Sequence, residues 1–198
     1  MQGRWQMAQS GVWRVLIELP WAIFLIYWII GAFKTRPTRH KESSISRITI
    51  LLVEIAGYML IFDSALDGGF WGKAVLPRTA LLAIAGVAMT WLGIALAIWA
   101  RYHLAGYWSA RIAIKQDHQL IRTGPYRRLR HPIYSGLILA TVGSALVIDH
   151  WRCVLGVCLV VAGYAIKARK EEAMLGEKFE DAFREHRKHT GFLFPRFL

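Results

Sequence analysis

Apolar runs long enough to cross a lipid bilayer constrain this chain more than any other feature. Residues 15–33, 48–65 and 79–100 form three such runs. An α-helix rises about 1.5 Å per residue, so about 20 residues cross a hydrocarbon core of about 30 Å. Two shorter apolar runs, residues 133–148 and 153–166, follow nearer the C-terminus. Because hydrophobic residues also make up 55% of the chain, the pattern predicts an integral membrane protein.

The two shorter runs are separated by four residues, Asp149, His150, Trp151 and Arg152. A tight helical hairpin would keep these side chains at the membrane interface. One 34-residue helix is the alternative, but it would bury the polar side chains at its centre, which is costly in lipid. The sequence therefore predicts an all-α protein, a polytopic membrane helical bundle of about five transmembrane helices.

Basic residues are concentrated in three blocks. Residues 34–47, 101–130 and 167–196 contain 20 of the 25 lysines and arginines. This alternation of basic and non-basic connections is the positive-inside pattern, which explains the net charge of +12 without nucleic acid as a partner. We expect a multi-pass protein among membrane lipids, with the N-terminus outside and the C-terminus and polar segments cytoplasmic.

Three further features concern the membrane-embedded residues. Glu54 lies well inside the second predicted span, where a carboxylate is costly and indicates a functional role or a hydrogen-bonded packing role. Cys153 and Cys158 lie in an apolar run and are expected to be packing residues. The histidines and cysteines do not have the spacing of metal ligands, so no metal site is expected. The third predicted helix carries small residues four, three and four apart, which favours close helix packing; these are Gly86, Thr90, Gly93 and Ala97.

A polar segment at residues 120–136 interrupts the apolar pattern. Its Gly-Pro-Tyr sequence at residues 124–126 predicts a turn, and Pro132 suits the first turn of a helix. Free N–H groups at the start of that helix, beside Arg130 and His131, would form a receptor for an anionic group.

Glu171 and Glu172 offer the opposite charge. If Pro132 and Glu172 lie at the same end of one helical hairpin, the cationic and anionic groups are neighbours in space. Such a pocket suits a zwitterionic ligand with an amino group, a carboxylate and hydroxyls. A helix end with a solvated glutamate pair is the alternative.

Three motifs that follow one another along the chain together resemble those of a known protein family. They are Gly124-Pro125-Tyr126, then Arg130-His131-Pro132-Ile133-Tyr134-Ser135-Gly136, and then Glu171-Glu172 followed by Leu175 and Phe179. Together they resemble the isoprenylcysteine carboxyl methyltransferase family and its phospholipid methyltransferase relatives, from about residue 108 to residue 195. The resemblance implies an integral membrane methyltransferase with S-adenosyl-L-methionine in a cytoplasm-facing pocket. Its methyl acceptor would be lipophilic, such as the carboxylate of a prenylcysteine-like or other lipid-like molecule.

The resemblance also implies roles for individual residues. The side chains of residues 131, 134, 171 and 172 would contact the methionine end and ribose of the cofactor, and the backbone of residues 120–126 would line the adenine. The implied cofactor-binding residues are Leu120, Gly124, Pro125, Tyr126, Arg130, His131, Pro132, Tyr134, Gly136, Glu171 and Glu172. The implied catalytic residues are Lys167, Arg169 and Glu172.

The chemistry of the acceptor decides which side chains would act on it. A carboxylate acceptor needs only a cation to hold it, which Arg111, Lys167 or Arg169 would supply. An amine or thiol acceptor must lose a proton, which Glu172 or His186 would take. The residue pair Trp108-Ser109 is expected to line the route of the acceptor.

The region after the glutamate pair departs from the family. The family often has two tyrosines there, where this chain has Phe183 and His186. Apolar residues after position 171 recur at spacings of three and four, which predicts a C-terminal amphipathic helix. We expect an N-terminal three-helix membrane region at residues 1–100. Residues 101–198 would form the catalytic region, with the cofactor-binding loop, the hairpin at residues 133–166 and the amphipathic tail.

Two other functions are compatible with the sequence. A membrane reductase of the sterol C14 type shares the Arg-His-Pro-x-Tyr pattern and resembles a user of NADPH, but such enzymes have more spans and the glutamate pair favours the methyltransferase. A non-catalytic membrane adaptor with a basic face that attracts anionic lipid is the other.

Overall fold

Five long α-helices dominate the structure, a computed structural model that describes residues 2–32, 38–41, 44–104, 113–115 and 120–196. The helices are α1 (Gln2–Ala32), α2 (Ser44–Phe62), α3 (Ala80–Leu104), α4 (Pro132–Ile148) and α5 (Trp151–His189). Two short 3-10 helices, at Ser64–Leu66 and Gly124–Arg127, lie in connections. The predicted helical bundle is confirmed.

Four of the five helices are long and apolar enough to cross a membrane. These are α1, α2, α3 and α5, while α4 is apolar but has only 17 residues. Many large hydrophobic side chains on α1, α2 and α3 are exposed, as expected for surfaces that face lipid. The protein is therefore a multi-pass membrane protein.

Contacts between helices fix their relative directions. The indole of Trp91 on α3 donates a hydrogen bond of 3.1 Å to the carbonyl of Leu16 on α1. Further along both helices, the guanidinium of Arg101 lies against Gly31. Helices α1 and α3 are therefore parallel, and the termini of the described bundle lie at opposite ends. The polar segment at residues 120–131 and the end of α5 share one end.

Small residues bring α3 and α4 into close contact. Gly86 and Gly93 on α3 are buried, and side chains added there would meet the backbone of α4 near Gly143 and Gly136. The hydroxyl of Thr90 donates to the carbonyl of Gly86 (2.9 Å) within its own helix. The stripe of small residues predicted on α3 is therefore the face that packs against α4.

The turn between α4 and α5 is the predicted tight hairpin. Asp149 ends α4 in a left-handed conformation (φ 53°), and its carboxylate accepts a hydrogen bond of 2.9 Å from the backbone N–H of Leu76. Arg152 is almost fully buried and donates to the carbonyl of Ile61 (2.8 Å) and the carboxylate of Asp67 (2.5 Å). These bonds tie Asp149 and Arg152 of the turn to Leu76, Ile61 and Asp67. Because α4 ends at Ile148 and α5 begins at Trp151, the single long helix is excluded.

The C-terminal helix differs from the prediction in its boundaries. The amphipathic region continues α5 beyond the apolar residues 153–166, and the helix is interrupted only at Glu180 (φ 40°, ψ −112°). No glycine or proline lies between Gly163 and Gly176 to stop the helix. A second difference is a two-stranded antiparallel ribbon in which β1 (Thr38–Lys41) pairs with β2 (Ala113–Lys115). Its strands lie in the basic connections at residues 34–47 and 101–130, where no strand was predicted.

The close α3–α4 contact generates a stability prediction. Gly93→Ala adds a methyl group that meets the backbone of Gly136 and Ala140, so we expect a loss of about 1–3 kcal/mol in the free energy of unfolding. Gly11→Ala is the matched control, because no described atom lies within 4 Å of an added methyl group there. Thermal unfolding of both variants in detergent measures the effect. Equal melting temperatures would contradict the packing.

Candidate functional site

A histidine between two glutamates forms the centre of the site. His131 precedes α4, and Glu171 and Glu172 lie on α5. The Nδ1 atom of His131 is 3.4 Å from Glu171 Oε2, and its Nε2 atom is 3.3 Å from Glu172 Oε1. The histidine side chain is 4% exposed. Each ring nitrogen therefore faces a carboxylate, an arrangement that favours the doubly protonated imidazolium.

Arg130 strengthens the pairing on one side. Its Nε atom donates to Glu172 Oε1 over 2.5 Å, and both side chains are largely buried. Its Nη1 atom donates to the carbonyl of Thr190. A charge-assisted bond in a buried setting is among the stronger hydrogen bonds in proteins. Arg130 therefore joins the start of α4 to α5 and to the C-terminal segment.

Tyr134 completes the site one turn into α4. Its hydroxyl donates to Glu171 Oε1 over 2.5 Å. Its ring is stacked on His131 (centroids 5.7 Å apart) and on Tyr164 of α5 (5.1 Å). The ammonium of Lys167 lies 5.6 Å from the centroid of the Tyr134 ring. The side of the site toward the middle of α5 is thus aromatic, and Lys167 lies beside its Tyr134 ring.

The C-terminal segment closes the other side. Backbone bonds of 2.9 Å join Arg130 N to Gly191 O, and Gly191 N to Arg128 O. The hydroxyl of Ser135 donates to the carbonyl of Leu193 (2.7 Å), and the Phe192 ring packs edge-on against the site histidine (5.3 Å). A segment about 60 residues distant in sequence is therefore a wall of the site.

The predicted Gly-Pro-Tyr turn is present as the 3-10 helix at residues 124–127. Gly124 has a φ of 57°, which L side chains rarely adopt, and the ring of His103 on α3 fills the space where a Cβ atom would stand. Pro125 and Tyr126 are buried, and Leu120 is partly buried at the start of this described stretch. The turn packs the polar segment onto the end of α3.

The predicted site residues do not all lie together. The main cluster contains Arg130, His131, Tyr134, Glu171 and Glu172, with Pro132 opening α4 beside it and Lys167 one turn deeper. The other predicted residues occupy different places.

Gly136 packs against α3, and Arg169 is exposed without an ion-pair partner among the described residues. His186 lines a separate cavity of about 200 Å³, together with Arg122 and Arg127. Residues 108, 109 and 111, expected near the acceptor, lie outside the described residues.

Several residues of the site were not predicted. Tyr164, Thr190 and Phe192 contribute a stacking ring, a carbonyl acceptor and an edge contact. Tyr164 lies in an apolar run, and its spacing of seven residues from Glu171 placed it on the same helix face, which was a usable signal. Thr190 acts through its backbone, so its identity gave none. In the part of the chain that the structure describes, no group of three His, Cys, Asp or Glu side chains could hold a metal ion.

The charges around His131 determine its protonation. Burial alone would lower the pKa of this histidine, but hydrogen bonds to Glu171 and Glu172 and the charges of both carboxylates outweigh burial and raise the pKa above its ordinary value of 6.5. The imidazolium is therefore the favoured form in the folded protein.

A bundle of apolar helices with a histidine, an arginine and two glutamates at one end defines a class of polytopic membrane protein with a polar site at the membrane edge. Within that class, residues 86–177 match the model of the Isoprenylcysteine carboxyl methyltransferase (ICMT) family. The matched segment contains α4, the first part of α5 and every member of the main cluster. The resemblance predicted from the motifs is confirmed.

Two curated proteins are similar to this chain in sequence. The chain is 25% identical over 160 residues to the cobalt-zinc-cadmium resistance protein CzcN of Cupriavidus metallidurans, covering 80% of this chain and 65% of that protein. It is 27% identical over 160 residues to the nickel-cobalt-cadmium resistance protein NccN of Alcaligenes xylosoxydans xylosoxydans, covering 80% and 66%. The chain thus spans about 65% of the length of these curated relatives.

A solved structure shows the same fold. The eukaryotic intramembrane Ras methyltransferase ICMT (isoprenylcysteine carboxyl methyltransferase) superposes with a TM-score of 0.51 and 20% sequence identity. The match covers 77% of this chain and 51% of the other. The helical membrane bundle described above is therefore an ICMT-like fold.

The protonation of His131 generates a pH prediction. The pKa of His131 is higher in the folded protein than in the unfolded chain. The stabilisation from its ion pairs is therefore fully present below pH 6.5, the pKa in the unfolded chain, and is lost as the pH rises through the pKa in the folded protein. The melting temperature of the wild type should therefore fall over this range relative to that of His131→Asn, which cannot titrate there.

His189→Asn is the matched control for this experiment. His189 also contacts a carboxylate, Glu185, over 3.0 Å, but both side chains are largely exposed. This variant should retain the pH profile of the wild type. A profile for His131→Asn that is equally steep would show that the buried histidine is not the titrating group.

Proposed function

We propose that this protein is a membrane-embedded methyltransferase that uses S-adenosyl-L-methionine and transfers a methyl group to a lipophilic acceptor. The observation that carries the proposal is the buried cluster of Arg130, His131, Tyr134, Glu171 and Glu172 in an ICMT-like fold. The family match over residues 86–177 supports the same activity.

The residues of the cluster fit the chemistry of this cofactor. Its methionine end has an ammonium and a carboxylate, and the site offers anionic Glu171 and Glu172 beside cationic Arg130 and His131. Glu171 has a side chain that is 26% exposed, so one carboxylate is accessible to a ligand. When bound, the cofactor supplies an electrophilic methyl group on a positively charged sulfur.

Different residues of the chain would bind different parts of the cofactor. Glu171 and Glu172 would take the ammonium and ribose hydroxyls, with Tyr134 orienting Glu171 through its hydrogen bond. The backbone of residues 120–126 would line the adenine. Gly191 and Phe192 would exclude water from the cluster, and methyl transfer depends chiefly on such alignment and exclusion.

The acceptor would reach the site from the bilayer. A carboxylate acceptor would be held by a cation, and Lys167 is the cation that lies beside the Tyr134 ring. Arg169 is the second expected cation, and its exposed position on α5 would place it at the edge of the site. Glu172 is paired with Arg130 and His131 and lies 3.9 Å from Arg187, which makes it a binding residue more than a base.

The positions of the charged connections support an orientation. The site, residues 120–131 of the polar segment and the end of α5 lie at one end of the bundle, together with Arg122, Arg127 and Arg128 and the basic residues near the end of α5. We propose that this end is cytoplasmic and that the N-terminus is outside, because basic connections are retained in the cytoplasm.

The alternatives explain fewer observations. A reductase that uses NADPH would have no need for two carboxylates next to a buried imidazolium, because the ligand phosphates are anionic. An adaptor with a basic face would not require Arg130 and Tyr134 to be bonded to carboxylates inside the bundle.

Glu172→Gln tests the cofactor site. The substitution removes the charge that faces Arg130 and His131, so the affinity for S-adenosylhomocysteine should fall by about 10–100-fold, as expected for a hydrogen bond to a charged group of about 1.5–3 kcal/mol. Isothermal titration of monodisperse protein in detergent measures this change.

Glu185→Gln is the control on the same helix, because Glu185 is exposed and pairs only with Lys188 and His189 among the described residues. It should bind with wild-type affinity. Equal affinities of Glu172→Gln and wild type would contradict the site, and a wild type that binds NADPH but not S-adenosylhomocysteine would favour the reductase.

A further inference from the structure

Glu54 is a buried carboxyl group that none of the roles above uses. It lies on α2 within a membrane-spanning segment and is 8% exposed. No described residue forms a hydrogen bond with its Oε1 atom. An unsatisfied carboxyl group in such a position lowers stability and is by default a functional candidate in a membrane protein.

The packing of α2 on α5 directs Glu54 toward the site. Gly163 of α5 provides the space, since a Cβ atom there would lie 2.9 Å from Glu54 Cγ. Gly163, Lys167 and Glu171 are spaced by four residues and lie on one face of α5. At about 1.5 Å per residue, Glu54 lies about 12 Å deeper along α5 than Glu171. Lys167, between these two levels, and Glu171 are both within electrostatic range of Glu54.

Hydroxyl-bearing rings connect the two levels. Tyr58, one turn after Glu54 on α2, shares a hydrogen bond of 3.2 Å with Tyr164 of α5. The Tyr164 ring is stacked on Tyr134, whose hydroxyl is bonded to Glu171. A continuous polar and aromatic wall therefore runs from the depth of Glu54 to the His131 cluster.

We propose that Glu54 recognises and deprotonates a methyl acceptor whose nucleophile carries a proton, a lipophilic amine or thiol. This inference rests on the proposed function and specifies the substrate class of that site. A carboxylate acceptor would have to compete with Glu54 for Lys167 and would be repelled by Glu54 and Glu171. A proton-donating head group would satisfy the open oxygen of Glu54.

The other bases expected from the sequence are placed less well. Glu172 is already bonded to Arg130 and His131, which hold its charge. His186 lines the separate cavity beside Arg122 and Arg127. Glu54, by contrast, has no ion-pair partner among the described residues and lies against Gly163 on α5.

The reaction balances with Glu54 as the proton acceptor. An ammonium or thiol gives one proton to the Glu54 carboxylate, and the freed lone pair forms the bond to the methyl carbon. The carbon–sulfur bond breaks, and its electron pair stays on sulfur, which becomes a neutral thioether. The product leaves as a methylated ammonium or a thioether, and Glu54 then releases its proton to water.

Glu54→Gln in lipid nanodiscs tests this role, with Glu18→Gln as the matched control, since Glu18 lies on α1 in an exposed pair with Arg14. Dodecylamine, dodecanethiol and dodecanoic acid are the probes, with radiolabelled S-adenosyl-L-methionine as methyl donor. We expect the wild type to methylate the amine or the thiol. The Glu54→Gln rate on that probe should fall by about 100-fold or more, the range for a lost general base, with the acidic limb of the pH profile removed.

Probe binding supplies a second readout that does not depend on turnover. In the complex with S-adenosylhomocysteine, tryptophan fluorescence should show that the wild type and Glu18→Gln prefer dodecylamine or dodecanethiol over dodecanoic acid. Glu54→Gln should lose this preference while its affinity for S-adenosylhomocysteine stays within twofold.

A wild type that prefers the acid, or a preference that survives Glu54→Gln, would overturn the role of Glu54 and leave the methyltransferase standing. A wild type that binds no S-adenosylhomocysteine would instead overturn the proposed function itself, and the inference with it.

Discussion

The ion pairs between the start of α4 and the middle of α5 are the interaction on which the site depends. Arg130 and His131 supply the positive charge, and Glu171 and Glu172 the negative charge, in a place where little water reaches them. Removing one partner of such a buried set leaves the others unpaired, which costs several kcal/mol. The side chains of Arg130 and Ser135 also donate hydrogen bonds to carbonyl groups of the C-terminal segment and so help to dock it on the site. Binding of a zwitterionic ligand would exchange some of these pairs for ligand groups.

Two kinds of contact position the helices that carry these charges. Small residues bring α3 and α4 together through backbone contact, and Gly57 and Gly156 do the same for α2 and α5. At the opposite end, Arg152 and Asp149 fix the hairpin through backbone bonds. The helices are therefore positioned by steric fit and hydrogen bonds, since apolar side chains gain little from packing together within lipid.

Much of this arrangement could be predicted because membranes restrict the choices. Apolar length predicted the helices, and Asp149 and Arg152 predicted the hairpin, because polar groups cannot stay at the bilayer centre. The order of motifs around His131 and Glu172 predicted which side chains meet. The extent of α5 was missed because the apolar run ends at residue 166. No glycine or proline interrupts the helix between that point and Gly176, so α5 continues into the amphipathic region. The role of Thr190 was missed because a backbone carbonyl is not specified by residue type. The separation of His186 from the cluster depends on tertiary packing that helix spacing does not determine.

A crystal structure of the protein with S-adenosylhomocysteine would test the central claim most directly. We expect the amino-acid end of the ligand to contact Glu171 or Glu172 and His131, with the adenine against the backbone of residues 120–126. A ligand bound instead in the cavity between Arg122 and His186, with the Arg130–Glu172 pair untouched, would contradict it.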